Sequence, residues 1–254
     1  MPVVLKAIPI WRASALALVA AAAPAATLVT PSGPAVPANL LRIGLHLDRP
    51  LSAPLDMRQV VLLDSEGALI KDAFLDLPLA GRDGRSVTLL LDPGRIKTGV
   101  GPNLAHGLAL QAGQTVLLRI TDPRLGRPVE KRWLIEPALR QAILPQQWRL
   151  TTPARGSRQP LRVDFPTSLD GDAAPLLALQ GPDGRRVAGK VQLADGERQW
   201  RFIPAQAWRA GAYLLRVHPR LEDPQGNRLC SAFEQAQQSA QQCDEEGRRA
   251  FIID

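Results

Sequence analysis

Residues Leu41-Arg42-Ile43-Gly44-Leu45-His46-Leu47-Asp48 set an apolar side chain at every second position. Side chains on a strand point to opposite faces in turn, so this period of two predicts a strand with one buried face. Short apolar runs closed by turn residues follow it. Val60 to Leu63 leads into Asp64-Ser65-Glu66-Gly67, and Val87 to Leu91 into Asp92-Pro93-Gly94. Val116, Leu118 and Ile120 alternate again and stop at Asp122-Pro123, and Trp133 to Ile135 makes a further short run. Helical periodicity is absent over most of this span, which places the chain in the all-β class.

The second half repeats the plan. Leu161-Arg162-Val163-Asp164-Phe165 answers Leu41 to Leu45, and Leu176 to Leu179 followed by Asp183-Gly184 answers Val60 to Leu63 followed by Glu66-Gly67. Trp200 to Pro204 answers Leu89 to Pro93, Ala210 to Val217 answers Ala112 to Ile120, and Gly226 answers Gly126. Landmarks recurring in one order predict two β modules of about a hundred residues, the size of an immunoglobulin-like sandwich. The expected division is a signal peptide at 1–26, a linker at 27–38, and two tandem immunoglobulin-like β-sandwich domains at 39–142 and 143–254. Pro31, Ser32, Gly33, Pro34 and Pro37 make the linker, and Pro145 breaks any element that would run across the boundary.

A resemblance sharpens this reading. Trp208-Arg209-Ala210-Gly211-Ala212-Tyr213, followed by Leu221-Glu222-Asp223-Pro224-Gln225-Gly226-Asn227, resembles the late-strand signature of bacterial Ig-like domains of the surface-layer-protein type. In that family a glycine turn leads into a Tyr-bearing strand, and an Asp-x-x-Gly-Asn turn precedes the last strand. Asp122 to Arg127 lacks the Asn, so the first module joins the resemblance only through the internal repeat. The resemblance implies binding, spacer or assembly modules of the cell envelope and no catalytic residues. One departure stands out: Ser231 to Arg249 intervenes before Ala250-Phe251-Ile252-Ile253, read as the last strand. Glu234 to Gln242 is rich in helix formers without an apolar stripe, which predicts an exposed helical turn or loop.

The N-terminus points to export. Lys6 and Arg12 provide a basic region, Ala13 to Ala23 an apolar stretch too short to span a bilayer, and Ala23-Pro24-Ala25 the small residues a signal peptidase accepts. The expected location is periplasmic or secreted, with an uncleaved N-terminal anchor as the alternative. No integral span is expected after signal removal. Cys230 and Cys243 are the only cysteines, and in an oxidising compartment they are expected to pair at the base of the 231–249 segment. Closing so short a loop stabilises by about 3 kcal/mol on the chain-entropy estimate.

Charge excludes one function class. The net charge of +7 divides as +2 over residues 1–38, +3 over 39–142 and +2 over 143–254, with both signs interspersed. Phosphate binding needs cations clustered on one face, and Arg185-Arg186 and Arg248-Arg249 are only doublets, so no nucleic-acid partner is expected.

The chain carries no phosphate-cradling glycine loop, no Gly-x-Ser-x-Gly elbow and no His-Glu-x-x-His run, so no cofactor and no enzyme activity are expected. His46, His106 and His218 are scattered and the methionines are two, too few soft ligands for zinc or copper. His46 and Asp48 share a strand face and are expected to pair, while His218 before Pro219 reads as structural. Asp170, Asp172, Glu222 and Asp223 would ligate calcium only if their segments converge; the competing reading makes Asp170 and Asp172 the caps of a turn. Asp92 to His106 is the longest loop of the first module and has no counterpart in the second. Binding residues collect on such loops, so Arg95, Lys97, Asn103 and His106 are the expected polar contacts, against the alternative of a plain structural connection. Trp133 and Trp200 sit in strands as core residues, whereas Trp148 and Trp208 lie outside the runs and are expected to pack at the junction. The function expected is a non-catalytic binding, scaffold or assembly module whose partner is a protein or glycan of the cell envelope. A hydrolase built on the loops and a carbohydrate-binding module are the alternatives.

Overall fold

A computed structural model describes residues 27–97, 104, 106–233 and 247–254. The expected signal peptide at 1–26, Asn103, Cys243 and residues 234–246 lie outside the described residues. The alternating stretch forms the predicted strand, β3 (Arg42–His46), with Ile43 and Leu45 buried and Arg42, Gly44 and His46 on the other side. Around it stand β1 (Leu28–Thr30), β2 (Ala35–Pro37), β4 (Val60–Leu63), β5 (Leu79–Ala80), β6 (Ser86–Leu90), β7 (Thr115–Ile120) and β8 (Val129–Glu136). They make two sheets, ordered β1-β3-β6-β5 and β2-β8-β7-β4. With β1 and β2 as the two parts of a divided first strand, these are the A-B-E-D and A′-G-F-C orders of an immunoglobulin fold.

The second half contributes β9 (Arg149–Thr151), β10 (Leu161–Asp164), β11 (Leu177–Gln180), β12 (Gly189–Ala194), β13 (Gln199–Pro204), β14 (Gly211–Val217) and β15 (Arg248–Ile253). Their sheets run β12-β13-β10-β9 and β11-β14-β15, again A-B-E-D against C-F-G. Buried apolar side chains gather into two clusters, one drawn from Val29 to Ile135 and the other from Ile143 to Ile253. The chain is therefore all-β, built of immunoglobulin-like sandwiches. Tyr213 on β14 completes a tyrosine corner: its hydroxyl donates to the Arg209 carbonyl at 3.0 Å and accepts the Arg209 N–H at 3.2 Å.

Two expectations are corrected here. Residues 28–37 are not a linker. β1 pairs antiparallel with β3, and β2 runs parallel to β8, with Val29 and Val36 buried in the first core. Three-residue strands are too short to show a period. Their prolines stand where the ladder needs no N–H, so that the Pro34 carbonyl still accepts the Leu134 N–H at 2.9 Å. Trp148 and Trp208 do not pack at the junction. Both belong to the second core, Trp148 edge-on to Phe165 at 4.7 Å and Trp208 edge-on to Tyr213 at 5.5 Å. β12 escaped notice because an exposed edge strand with Lys190 and Gln192 carries no buried stripe.

Candidate functional site

Three connections of the second sandwich meet the first: β10 to β11, the turn between β12 and β13, and β14 to β15. The first and third are the loops that carry the binding surface of antibody variable domains. In this chain they are taken up by an internal junction.

The tightest contact joins Ser32 to Glu197. The Ser32 N–H reaches Oε2 at 2.6 Å and its hydroxyl donates to Oε1 at 2.7 Å. Glu197 is only 5% exposed and sits at a φ of 60° at the end of the Asp195-Gly196-Glu197 turn. Lys131 donates to the Ser32 carbonyl at 2.5 Å; burial pulls its ammonium pKa down, and the charge of Glu197 opposes that shift. Backbones nearly touch beside this clamp: a Cβ on Gly196 would lie 2.8 Å from the Gly33 Cα.

A second contact centres on Arg42. Its guanidinium meets Glu222 and lies 3.6 Å from Asp170, so two carboxylates from separate loops share one cation. The Pro224 carbonyl accepts the N–H groups of Leu41 at 2.9 Å and Arg42 at 3.3 Å. The side-chain amides of Asn39 and Asn227 both donate to the Leu139 carbonyl, at 2.7 and 3.2 Å. Asp223 lies beneath, accepting from the N–H groups of Gln225 and Asn227 and from the Asn227 amide. Burial pushes its pKa up to about 6, although those hydrogen bonds and Arg42 pull the other way.

The carboxylates weighed for calcium thus converge in part, but on a guanidinium. Asp170 also caps its turn through the Asp172 N–H at 3.0 Å, as the competing reading held. Among the described residues no three His, Cys, Asp or Glu side chains are grouped to hold a metal ion.

His46 does not pair with Asp48. Its Nδ1 faces Asp172 at 3.9 Å and its Nε2 faces the Thr30 hydroxyl at 3.5 Å, while Asp48 lies 4.0 Å from Arg49. Hydroxyl, imidazole and carboxylate fall in the order of a nucleophile triad. The cleft beside them holds about 20 Å³, and a Cβ on Gly171 would stand 2.6 Å from the Thr30 hydroxyl. That space admits about one water and no scissile bond.

The loop expected to carry the site is otherwise engaged. Arg95 is 3% exposed, and its guanidinium donates to the carbonyls of Gly107 at 2.9 Å and His106 at 3.4 Å, and to that of Lys71. It fastens its own loop, since a buried guanidinium is satisfied only by the acceptors folded against it. Lys97 lies over the Phe233 ring at 5.4 Å, and His106 is exposed 3.9 Å from the Asp72 carboxylate. Among the described residues, Arg95 and His106 meet through the His106 carbonyl, and Asn103 lies outside them. The junction contacts of Ser32, Arg42, Glu197 and Asn227 went unread, because partners up to 165 residues apart leave no local signal. His218 accepts the Arg220 N–H at 3.1 Å, a structural role.

No family model matches the chain, and no curated protein does. Among solved structures, it is similar to a chimeric titin Z1Z2 carrying a decorin KLER peptide, at 12% identity and a TM-score of 0.23, over 90% of this chain and 96% of that one. It is similar to native alpha-2-macroglobulin of Escherichia coli spanning domains MG0-NIE-MG1, at 12% identity and a TM-score of 0.24, over 84% of this chain and 66% of that one. Murine CEACAM1b matches at 10% identity and a TM-score of 0.21, over 71% of this chain and 86% of that one. Likenesses this loose carry no function across, and the immunoglobulin-like assignment stands on the strand order.

Proposed function

We propose that this chain is an exported, non-catalytic module of two tandem immunoglobulin-like domains of the bacterial surface-layer-protein type. It binds or scaffolds a protein or glycan of the cell envelope. The observation that carries this reading is the junction. The loops of the second sandwich best placed for a site are used to hold the first, and the hydroxyl–imidazole–carboxylate row there is closed to substrate. What remains outward is a scaffold with free ends and edges. The first 26 residues, with their basic and short apolar regions, supply the export reading, and among the described residues no helix is long and apolar enough to cross a membrane. Export brings with it the Cys230–Cys243 disulfide, Cys230 being buried in the second core.

The test expresses the full chain in a bacterial host and examines the product. A mature N-terminus near Ala26 in the periplasmic or extracellular fraction, with no thiol labelled in denatured, unreduced protein, is expected. The same protein should turn over no ester, amide, phosphate or glycoside substrate. Hydrolysis lost on His46→Ala or His106→Ala would overturn the non-catalytic reading, and an intact N-terminus in the cytoplasm would overturn export.

A further inference from the structure

The second sandwich has a pocket of about 250 Å³ at the end away from the junction, between the turn joining β11 to β12 and the corner joining β13 to β14. We propose that this pocket binds a single-ring sugar acid, its carboxylate held by Arg185 and Arg186 and its ring seated on the apolar wall. Three observations carry the inference.

The first is the state of the charges. Arg209 donates to Asp183 at 2.8 Å, which holds that carboxyl below its ordinary range and leaves it satisfied. Arg185 and Arg186, also lining the pocket, are exposed, and neither guanidinium has a partner among the described residues. Two unpartnered guanidiniums in the lining of one pocket favour a carboxylate, whose two oxygens can accept N–H donors from both.

The second is the internal repeat, which acts as a control. After the matching glycine of the first sandwich, Gly67, stand Ala68 and Leu69 where the second has Arg185 and Arg186. The turn needs only its positive-φ glycine, found at +83° in one copy and +74° in the other. Arginines at this place are not required by the fold.

The third is the wall. Pro182, Val187 and Pro204 line the hollow with carbon surface. The polar atoms behind it are already spoken for, the Trp208 indole donating to the Gln159 carbonyl at 2.8 Å and the Tyr213 hydroxyl closing its corner. Selection therefore falls to the arginines and to the Gln206 amide, which also lines the pocket. The volume lies below the roughly 300–1,000 Å³ of sites for drug-sized ligands, which suits one ring. None of the lining residues belongs to the edge strands β11 or β12, so the hollow offers an extended peptide no open strand edge. A bare phosphate would leave the carbon wall unused.

The inference goes beyond the scaffold reading and does not depend on it, since a purified chain would bind the ligand wherever it resides in the cell. Calorimetry and ligand-observed NMR on the full chain, with galacturonate, glucuronate, the parent neutral sugars, acetate and inorganic phosphate, test it. A uronate is expected to bind at about millimolar affinity or better, at least tenfold more tightly than its neutral parent or acetate. Arg185→Gln/Arg186→Gln should weaken it tenfold or more, both side chains being exposed and dispensable for folding. Arg82→Gln/Arg127→Gln, an equal loss of charge on the first sandwich, should leave it unchanged. Absence of uronate binding, equal binding of the neutral sugar, acetate or phosphate, or an equal loss in both double variants would overturn the proposal.

Discussion

Two buried aspartates respond to pH in opposite senses. Asp122 caps the turn after β7, accepting from the Arg124 N–H at 3.0 Å and from its guanidinium at 2.6 Å, while that guanidinium also bonds the carbonyls of Ala53 and Pro54. These bonds, chiefly those from the Arg124 side chain, lower its pKa from 3.8 to about 2. A depressed carboxyl stabilises the fold above its unfolded pKa, and the contribution disappears as pH falls through the folded value. Asp122→Asn should therefore cost about 2 kcal/mol at neutral pH in denaturant titration, and the cost should shrink toward pH 2. Asp223 is the reverse case, raised from 3.8 to about 6 by burial. Between those values the folded form keeps a proton that the unfolded chain has released, so stability falls as pH rises from about 4 to about 6. Asp223→Ala removes that slope along with three hydrogen bonds. Its penalty should be larger near pH 4 than near pH 7, and a penalty that grew with pH would contradict the assignment.

At the scale of elements, the corner and the loop turn on single groups. Tyr213→Phe keeps the ring against Trp208 and Phe251 but removes the bonds to Arg209, which should lower stability by about 1 kcal/mol in urea unfolding. Arg95→Met should act on stability rather than on binding. Left without the guanidinium, the Gly107, His106 and Lys71 carbonyls lose their donors, at a cost of about 1–3 kcal/mol read from the urea midpoint. Gly196 is constrained twice, by a φ of +64° and by the Gly33 backbone.

Across the whole molecule, the junction decides whether the two sandwiches act as one body. Arg42→Glu would place a third carboxylate between Asp170 and Glu222, turning an attraction into repulsion within a partly buried cluster. Removing one partner of such a cluster costs about 3–5 kcal/mol where the pair is buried. Solvent exposure near a quarter for these side chains puts the expected loss below that range. Calorimetry should then resolve two transitions in place of one, and small-angle scattering should report a larger radius of gyration, with the far-ultraviolet spectrum still that of β-sheet. A single unchanged transition would show that the sandwiches hold together by other contacts.

Which segments become strands could be read along the chain wherever a face is buried. The period of two in residues 41–48, the runs at 60–63 and 116–120 and their echoes at 161–165, 176–179 and 210–217 report local geometry, which neighbours in the chain carry. Strands such as Leu28–Thr30 are too short to show a period and edge strands such as Gly189–Ala194 lack a buried stripe, so both stayed hidden. Which polar residues matter depended on the fold. Ser32 with Glu197, and Arg42 with Asp170 and Glu222, are joined by sheet packing across more than a hundred residues. It also turned Arg95 inward and left Arg185 and Arg186 facing a hollow, because hydrogen-bond satisfaction depends on what folds over a side chain and not on its neighbours in sequence.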